Sequence, residues 1–285
     1  MKNLQQNTLG IQVINGVEGL YKIRILKFIK ENTPLEKGFY RRVSLLGFFL
    51  WESVFMFERL ELLIGNKIES LHSKTVLIIG LGGVGGYALE CIVRSGIGRV
   101  IIVDNDVVDI TNLNRQIVSL HSNIGQLKVD AWEKRIKDIN PDIEVIKMKQ
   151  FITKDNISLL FENKIDYLID ACDTVETKKE IIRNCLNRNI KFISSMGTGN
   201  KLDITKFKIE DIRKTSYDPI AKIIRKMVKD ERIKGKIPVI YSTESPIKTN
   251  SKTIASISFV PAMSGLMCAS FVINDIIGDI NGRRN

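Results

Sequence analysis

A glycine-rich loop that directly follows an apolar run is the feature that most restricts how this chain can fold. The run is Thr75–Ile79, and the loop, residues 80–85, reads GLGGVG and leads into a helical pattern. In such a unit Gly80 permits the tight turn, Gly82 lets backbone N–H groups approach a phosphate, and Gly85 lets the helix pack closely on the strand. The unit therefore predicts a nucleotide-binding βαβ fold.

Apolar strand patterns and helical patterns continue to alternate after this loop. Strands are predicted at 75–79, 99–103, 143–148, 167–170 and 191–194, and helices at 84–95, 126–139, 153–162 and 176–188. This alternation predicts a doubly wound α/β domain with a mainly parallel, Rossmann-like sheet from about residue 75 to 195. Residues 201–252 are predicted to be a subregion inserted on the same domain, with a strand at 204–209 and a helix at 219–228.

Polar residues follow the second and fourth predicted strands, where ligands bind in open α/β sheets. Asp104 ends the second strand, at the distance from the loop that suits a carboxylate binding a ribose. Arg115 and Lys128 can neutralise a triphosphate, and Asp173, after the fourth strand, can hold a bridging Mg²⁺ ion. Hydride transfer requires only Asp104, so the additional residues favour ATP over NAD.

These motifs resemble the ubiquitin-activating-enzyme-like (ThiF/MoeB) adenylating superfamily, in the stretches GLGGVGG, DxDxV, NxNRQ and DACD. The resemblance implies attack of a carboxylate on the α-phosphate of ATP, which gives an acyl-adenylate and pyrophosphate. It implies Asp104 as the ribose ligand, Asp173 as the Mg²⁺ ligand, and Arg59 as an arginine that reaches the partner's γ-phosphate in a homodimer. The remaining implied ATP-site residues are Gly80, Gly82, Gly83, Gly85, Asp106, Asn112, Arg115, Gln116 and Lys128.

A narrower resemblance is to the tRNA threonylcarbamoyladenosine dehydratase family, and it extends from about residue 57 to 278. It is carried by RSGIG at 94–98, NLNRQ at 112–116, DINP at 138–141, the KT and DP pairs at 214–219, and YSTE at 241–244. It implies ATP-dependent cyclisation of the threonylcarbamoyl group on the adenosine beside the anticodon. Adenylation of the C-terminal carboxylate of a ubiquitin-like or sulfur-carrier protein stays open, with a sulfur-transfer protein as a further partner. A non-catalytic or NAD-binding module is the third alternative.

The charge distribution agrees with a polyanionic substrate such as tRNA. The chain carries a formal net charge of +11, and residues 201–252 contain 14 Lys and Arg against 7 Asp and Glu. A basic surface of this kind binds nucleic-acid phosphates without sequence preference. A merely solvated basic face is the alternative.

The ends of the chain and the cysteines give fewer constraints. Residues 1–55 are predicted to be an N-terminal extension of unknown role, or the product of a mis-set start with Met56 as the true initiator, before a domain at 56–285. Residues 254–277 begin with a strand-like alternation and continue as a core or dimer-interface helix, with membrane association as the alternative.

Four cysteines without a CxxC pair favour free thiols in the cytoplasm, with Cys172 packed rather than reactive.

Overall fold

The computed structural model describes residues 13–15, 21–23, 56–251 and 253–278. The chain divides into two compact units, Met1–Glu58 and Arg59–Asn285. Within the first unit, strand β1 (Val13–Asn15) pairs antiparallel with strand β2 (Tyr21–Ile23). The predicted extension at 1–55 otherwise lies outside the described residues, and its role and the start at Met56 stay predictions.

A mainly parallel sheet forms the centre of the second unit. Its strands are β3 (Thr75–Ile79), β4 (Arg99–Val103), β5 (Glu144–Met148), β6 (Tyr167–Asp170), β7 (Lys191–Ser195), β8 (Phe207–Asp211) and β9 (Pro238–Ser242). Their order is β5-β4-β3-β6-β7-β9-β8, and β8 is the antiparallel edge strand. The strand order reverses direction between β3 and β6, so the carboxyl ends of these two strands flank the crevice where doubly wound sheets bind ligands.

Helices cover both faces of this sheet, which confirms the predicted doubly wound α/β fold. The helices of the described residues are α1 (Glu58–Ile64), α2 (Lys67–His72), α3 (Gly85–Arg94), α4 (Lys128–Ile139), α5 (Val175–Asn187), α6 (Pro219–Asp230) and α7 (Phe259–Ile277). Every residue of β3 and β6 is buried, as expected for parallel strands covered on both sides. One continuous core joins Leu77 and Ile79 of the sheet to Ile181 of α5 and Ile224 of α6.

Helix α7 packs mostly within its own domain. A Cβ atom on Gly265 would lie 2.2 Å from the backbone oxygen of Val84, so the absence of a side chain allows α7 to approach α3 closely. On the side of α7 that faces the sheet, the Ser264 hydroxyl lies 2.7 Å from the hydroxyl of Ser195 at the end of β7. By length and composition α7 could cross a membrane, but half of its most apolar stretch of residues is buried inside the domain. This packing agrees with the predicted core helix and leaves less apolar surface for a dimer interface than the sequence suggests.

Three local predictions are wrong. The helix predicted at 153–162 is replaced by a short 3-10 helix, Ile157–Phe161. The Asn156 side chain explains this difference, because it accepts a hydrogen bond from the Thr153 N–H at 2.7 Å and donates one to the Phe151 carbonyl at 3.0 Å. Residues 254–258 form no strand, and the strand predicted at 204–209 begins only at Phe207, after a 3-10 turn.

Strand β9 was not predicted from the sequence. This strand is wholly buried and lies between β7 and β8. It therefore makes the basic subregion at 201–252 an extension of the central sheet rather than a separate appendage.

Candidate adenylation site

Two glycines of the 80–85 loop are required by close packing. Gly80 has a φ of +83°, and a Cβ atom there would lie 2.7 Å from the Ala171 backbone oxygen. A Cβ atom on Gly85 would lie 1.7 Å from the Gly80 backbone oxygen. Gly82, by contrast, has ordinary spacing, with the nearest atom 3.5 Å from an added Cβ, and it borders an open cavity. The loop thus lies tightly against the end of β6 while its outer side stays accessible to a ligand.

Asp104 connects this loop to the end of β4. One oxygen of its carboxylate accepts a hydrogen bond from the Leu81 N–H at 2.7 Å, and the other accepts one from the Asp106 N–H at 2.8 Å. Both bonds fix the position of the carboxylate. An ionised carboxylate has about four lone-pair sites, so acceptor capacity remains for the hydroxyls of a ribose.

A buried cation lies beside Asp106, two residues after Asp104. Lys128, the first residue of α4, is only 4% exposed, and its ammonium lies 2.8 Å from the carboxylate of the exposed Asp106. The Lys128 N–H also donates to the Asp106 carbonyl at 2.9 Å. Because Asp106 is exposed, its carboxylate can rotate into solvent and leave the Lys128 ammonium to bind a phosphate.

The segment after Asp106 folds over the cavity through its own side chains. The Asp109 carboxylate accepts a hydrogen bond from the Thr111 N–H at 2.8 Å and so caps the 3-10 turn Ile110–Asn112. Hydrogen bonds from Thr111 hold the pKa of Asp109 below its ordinary value. The guanidinium of Arg115 donates to the Thr111 carbonyl at 2.7 Å. These contacts place Arg115 and the buried Asn112 at the wall of the cavity.

One polar atom in this wall has no partner. The amide oxygen Oε1 of Gln116 is buried and accepts no hydrogen bond among the described residues, although the side chain borders the cavity beside Gly82. Buried polar groups in native proteins are nearly always satisfied. The amide of Gln116 is therefore positioned for a ligand or for an ordered water that accompanies one.

The opposite wall is formed by residues after β6. Asp173 is exposed and borders the cavity, and the hydroxyl of Thr174 is 3.5 Å from its carboxylate. Among the described residues, no cluster of three His, Cys, Asp or Glu side chains could hold a metal ion. Asp173 can thus be one ligand of a Mg²⁺ ion whose other ligands are phosphate oxygens and water, an arrangement that this metal favours.

A fully buried ion pair supports this wall. The Lys178 ammonium of α5 lies 3.0 Å from the Asp170 carboxylate at the end of β6, and the side chains are 1% and 0% exposed. Asp170 also accepts hydrogen bonds from the Ser194 hydroxyl at 2.5 Å and from the Cys172 N–H at 3.2 Å. Burial lowers the pKa of Lys178, but the attraction of Asp170 outweighs that effect and holds the pKa above its ordinary value.

Cys172 lies next to this pair. Burial, and then the negative charge of Asp170, raise the pKa of its thiol well above the ordinary value. A thiol in this environment stays protonated at neutral pH, whereas nucleophilic cysteines need the thiolate. This geometry agrees with the predicted packing role for Cys172.

Ten of the twelve residues selected from the sequence line one cavity of about 500 Å³. Gly85 lies beneath the loop, and Arg59 is exposed on α1 and does not border the cavity. Other polar and apolar lining residues were not predicted from the sequence; they follow β5, β6 and β7, lie on α5, or lie just before or within the first turn of α7. They include Gln150, Phe151, Ile152, Thr174, Thr177, Thr198, Ser256 and Pro261.

Comparisons with known proteins agree with this architecture. Residues 58–284 match the ThiF family. The chain is 44% identical over 246 residues to the tRNA threonylcarbamoyladenosine dehydratase of Bacillus subtilis, covering 80% of this chain and 97% of that protein. It superposes on the crystal structure of the E. coli tRNA N6-threonylcarbamoyladenosine dehydratase TcdA with a TM-score of 0.74 and 29% identity, over 80% of this chain and 95% of the other.

A second E. coli TcdA structure contains ATP. It matches with a TM-score of 0.71 and 26% identity, covering 86% of this chain and 97% of that one. These matches include the glycine loop and the sheet that define the cavity. The chain belongs to the ThiF family and, within it, is similar to tRNA threonylcarbamoyladenosine dehydratases, over nearly the full length of the B. subtilis protein.

Proposed function

We propose that this protein is an ATP-dependent tRNA threonylcarbamoyladenosine dehydratase that works by carboxylate adenylation. The observation that carries the proposal is the grouping of two cations and one exposed carboxylate around a single glycine loop. Arg115, the buried Lys128 and Asp173 border the same cavity as Gly82. The relatives that bear this enzyme's name, one of them with ATP bound, support the same reading.

ATP would bind with its phosphates over the outer side of the glycine loop. Asp104 would accept the ribose hydroxyls, while Asn112, Arg115, Gln116 and Lys128 would contact the phosphates, with Asp106 releasing the Lys128 ammonium. A Mg²⁺ ion held by Asp173 would neutralise phosphate charge when bound. The Gln116 amide nitrogen beside Gly82, which can donate to a phosphate oxygen, and the exposed Asp173 carboxylate fit these two roles.

The reaction activates a carboxylate, which by itself is a poor electrophile. An oxygen of the substrate's threonine carboxylate attacks the α-phosphorus, the bond to the β-phosphate breaks, and pyrophosphate leaves. A group of the same side chain then attacks the activated carbonyl carbon, and AMP leaves with the former carboxylate oxygen. The net result is loss of one water and ring closure. Because ring closure is intramolecular, the protein contributes mainly positioning, consistent with a protonated Cys172.

The basic surface would bind tRNA. On α6, Lys222, Lys226 and Lys229 are exposed at helical spacing, and none of them forms an ion pair with another described residue. Lys214 is also exposed, beside this helix. Arg225, by contrast, is partly buried and its guanidinium donates a hydrogen bond to Thr215, so its role is largely structural. A tRNA substrate implies a cytoplasmic enzyme.

A homodimer would complete the site. Arg59 lies on α1 beside Leu62 and Leu63, which are 84% and 71% exposed. Two adjacent exposed leucines are a typical component of a protein interface. An isologous dimer formed there would let each Arg59 act as an arginine finger in the other subunit's cavity.

The rival proposal is adenylation of a protein's C-terminal carboxylate, with a sulfur-transfer protein as the next partner. The cysteines argue against the zinc-binding members of that group, because Cys91, Cys172, Cys185 and Cys268 are free and form no metal cluster among the described residues. Nothing else in the cavity separates the two substrates, so the substrate itself must be tested.

The decisive assay compares tRNAs with and without threonylcarbamoyladenosine. Each is incubated with the protein and ATP and then digested to nucleosides for mass spectrometry. We expect the modified nucleoside to lose one water only when ATP is present, with AMP released in equal amount. Release of AMP that requires an added ubiquitin-like protein and not tRNA would instead support the rival.

A further inference from the structure

Tyr217 is a strained and exposed aromatic residue at the edge of the basic surface. Its backbone has a φ of +57°, the left-handed region that bulky residues rarely adopt. Its side chain is nevertheless 68% exposed, so no packing of the ring against the protein accounts for the strain. Strained residues of this kind persist only where the surrounding structure over-determines them, and they cluster at functional sites.

The residues on both sides of Tyr217 are firmly held. Thr215 is buried, donates a hydrogen bond to the Ile212 carbonyl at 2.7 Å and accepts one from Arg225. Asp218 is also buried and accepts a hydrogen bond from the Ala221 N–H at 2.9 Å, which caps α6. The protein therefore fixes the backbone on either side and directs one large aromatic ring into solvent.

Tyr217 is connected to the cavity wall through its neighbour Asp218. The second oxygen of Asp218 lies 3.3 Å from the buried ammonium of Lys201, and it would lie 3.0 Å from a Cβ atom on Gly197. Gly197 directly precedes Thr198, which lines the cavity. Tyr217 is thus one residue away from a side chain that supports the cavity wall, and it adjoins α6 with its exposed Lys222 and Lys226.

We propose that Tyr217 is a stacking platform for an unpaired base of the tRNA anticodon loop. This inference rests on the proposed function, because it supplies the base contact that the basic surface cannot. Single-stranded RNA is bound by proteins that combine a basic surface with an aromatic face on which a base stacks. An enzyme that modifies a side chain of one loop base must also hold that loop open beside its cavity, and Tyr217 stands where the basic helix meets the cavity wall.

The experiment compares binding of two RNAs of equal length, an anticodon stem-loop and a fully paired duplex. Tyr217→Gly removes the ring and relieves the backbone strain, so its melting temperature should equal or exceed that of the wild type. We expect it to bind the stem-loop about 5- to 100-fold more weakly and the duplex unchanged. Tyr217→Phe keeps a ring and should retain stem-loop binding.

Two controls make the comparison specific. Asn189→Gly also relieves a left-handed backbone, since Asn189 has a φ of +54°, and it should bind both RNAs as the wild type does. The double variant Lys226→Ser/Lys229→Ser should bind both RNAs more weakly, because phosphate contacts do not distinguish a loop from a duplex.

Turnover separates this inference from the proposed function. If the wild type dehydrates the modified tRNA and Tyr217→Gly raises the KM for tRNA without changing the KM for ATP, the stacking role stands. If the wild type is active and Tyr217→Gly binds the stem-loop equally well, the stacking role is refuted while the proposed function is kept. If the wild type neither binds RNA nor dehydrates it, both are refuted.

Discussion

Removal of the buried Lys178 ammonium should destabilise the protein and disturb the cavity. In Lys178→Met the Asp170 carboxylate stays 0% exposed and loses its only cation within 3.0 Å among the described residues. Breaking a buried ion pair by removing one partner typically costs about 3–5 kcal/mol. Because Ser194 and the Cys172 N–H still donate to Asp170, we expect the lower end, about 3 kcal/mol.

Chemical and thermal unfolding followed by circular dichroism would measure this loss. For a chain of this size, about 3 kcal/mol corresponds to a lower melting temperature by about 6–12 °C. The neighbouring residue provides a matched control, since Lys179 pairs with the exposed Glu176 at 2.7 Å on the same helix. Lys179→Met should change the free energy of unfolding by less than about 1 kcal/mol.

The buried Lys178–Asp170 pair should also affect ATP binding and the pH dependence of stability. Asp173 follows Asp170 by three residues, so Lys178→Met should weaken ATP binding, while Lys179→Met should not. The pKa of Lys178 is raised on folding, so its contribution is complete below its unfolded-state pKa and is lost as the pH rises through the folded-state value. Equal stability of the Lys178→Met and Lys179→Met variants would refute the account of this pair.

Three further predictions concern the glycine loop, the pH dependence of stability in acid, and the homodimer. Gly85→Ala should abolish ATP binding, measured by calorimetry, and lower stability, because its Cβ would lie 1.7 Å from the Gly80 oxygen. Hydrogen bonds from Arg135 and Arg94 outweigh the effect of burial and hold the pKa of Glu90 below its ordinary value. Arg135→Met should therefore lose about 1–3 kcal/mol of stability near pH 7, and the difference from wild type should shrink as the pH falls through that lowered pKa. Arg59→Ala and Asp173→Asn should each be inactive but folded, and mixing them should restore activity through heterodimers that contain one intact composite site.

Each of these predictions has a contradicting result. Wild-type stability of the Gly85→Ala variant would show that the loop can move away from β6. Gly82→Ala is the control: an added Cβ has ordinary spacing there, so this variant should keep its stability and lose only ATP affinity. A stability difference for Arg135→Met that persists into strong acid would assign it to packing rather than charge. Heterodimers that form, as shown by mass measurement, yet stay inactive would place Arg59 outside the partner's site.

Local sequence patterns predicted the central strands well. The bounds of β3, β4 and β6 agree residue for residue, because each is a short, mainly apolar run with glycine or charged residues at or next to its ends. The grouping of the selected residues around one cavity was also predictable, since carboxyl ends of parallel strands meet at one edge. Strand β9 was missed because its run starts with Pro238 and its partners on β7, Ser194 and Ser195, lie over 40 residues away.

Side-chain contacts account for the other differences. The failure of the predicted helix at 153–162 depends on the two hydrogen bonds of Asn156, which residue propensities do not reveal. Lys178 could have been found, because it stands on the same helical face as Ile181, Ile182 and Cys185, where a lysine requires a buried partner. Tyr217 could not, since its left-handed backbone follows from contacts of its neighbours.

Transfer of a labelled oxygen tests the central claim of carboxylate adenylation most directly. The threonine carboxylate of the modified tRNA is labelled with oxygen-18, and the products of a single turnover with ATP are analysed by mass spectrometry. We predict that one labelled oxygen appears in AMP, because that oxygen attacks the α-phosphorus and leaves with it. Label recovered in inorganic phosphate with ADP as the product, or released into water, would contradict adenylation.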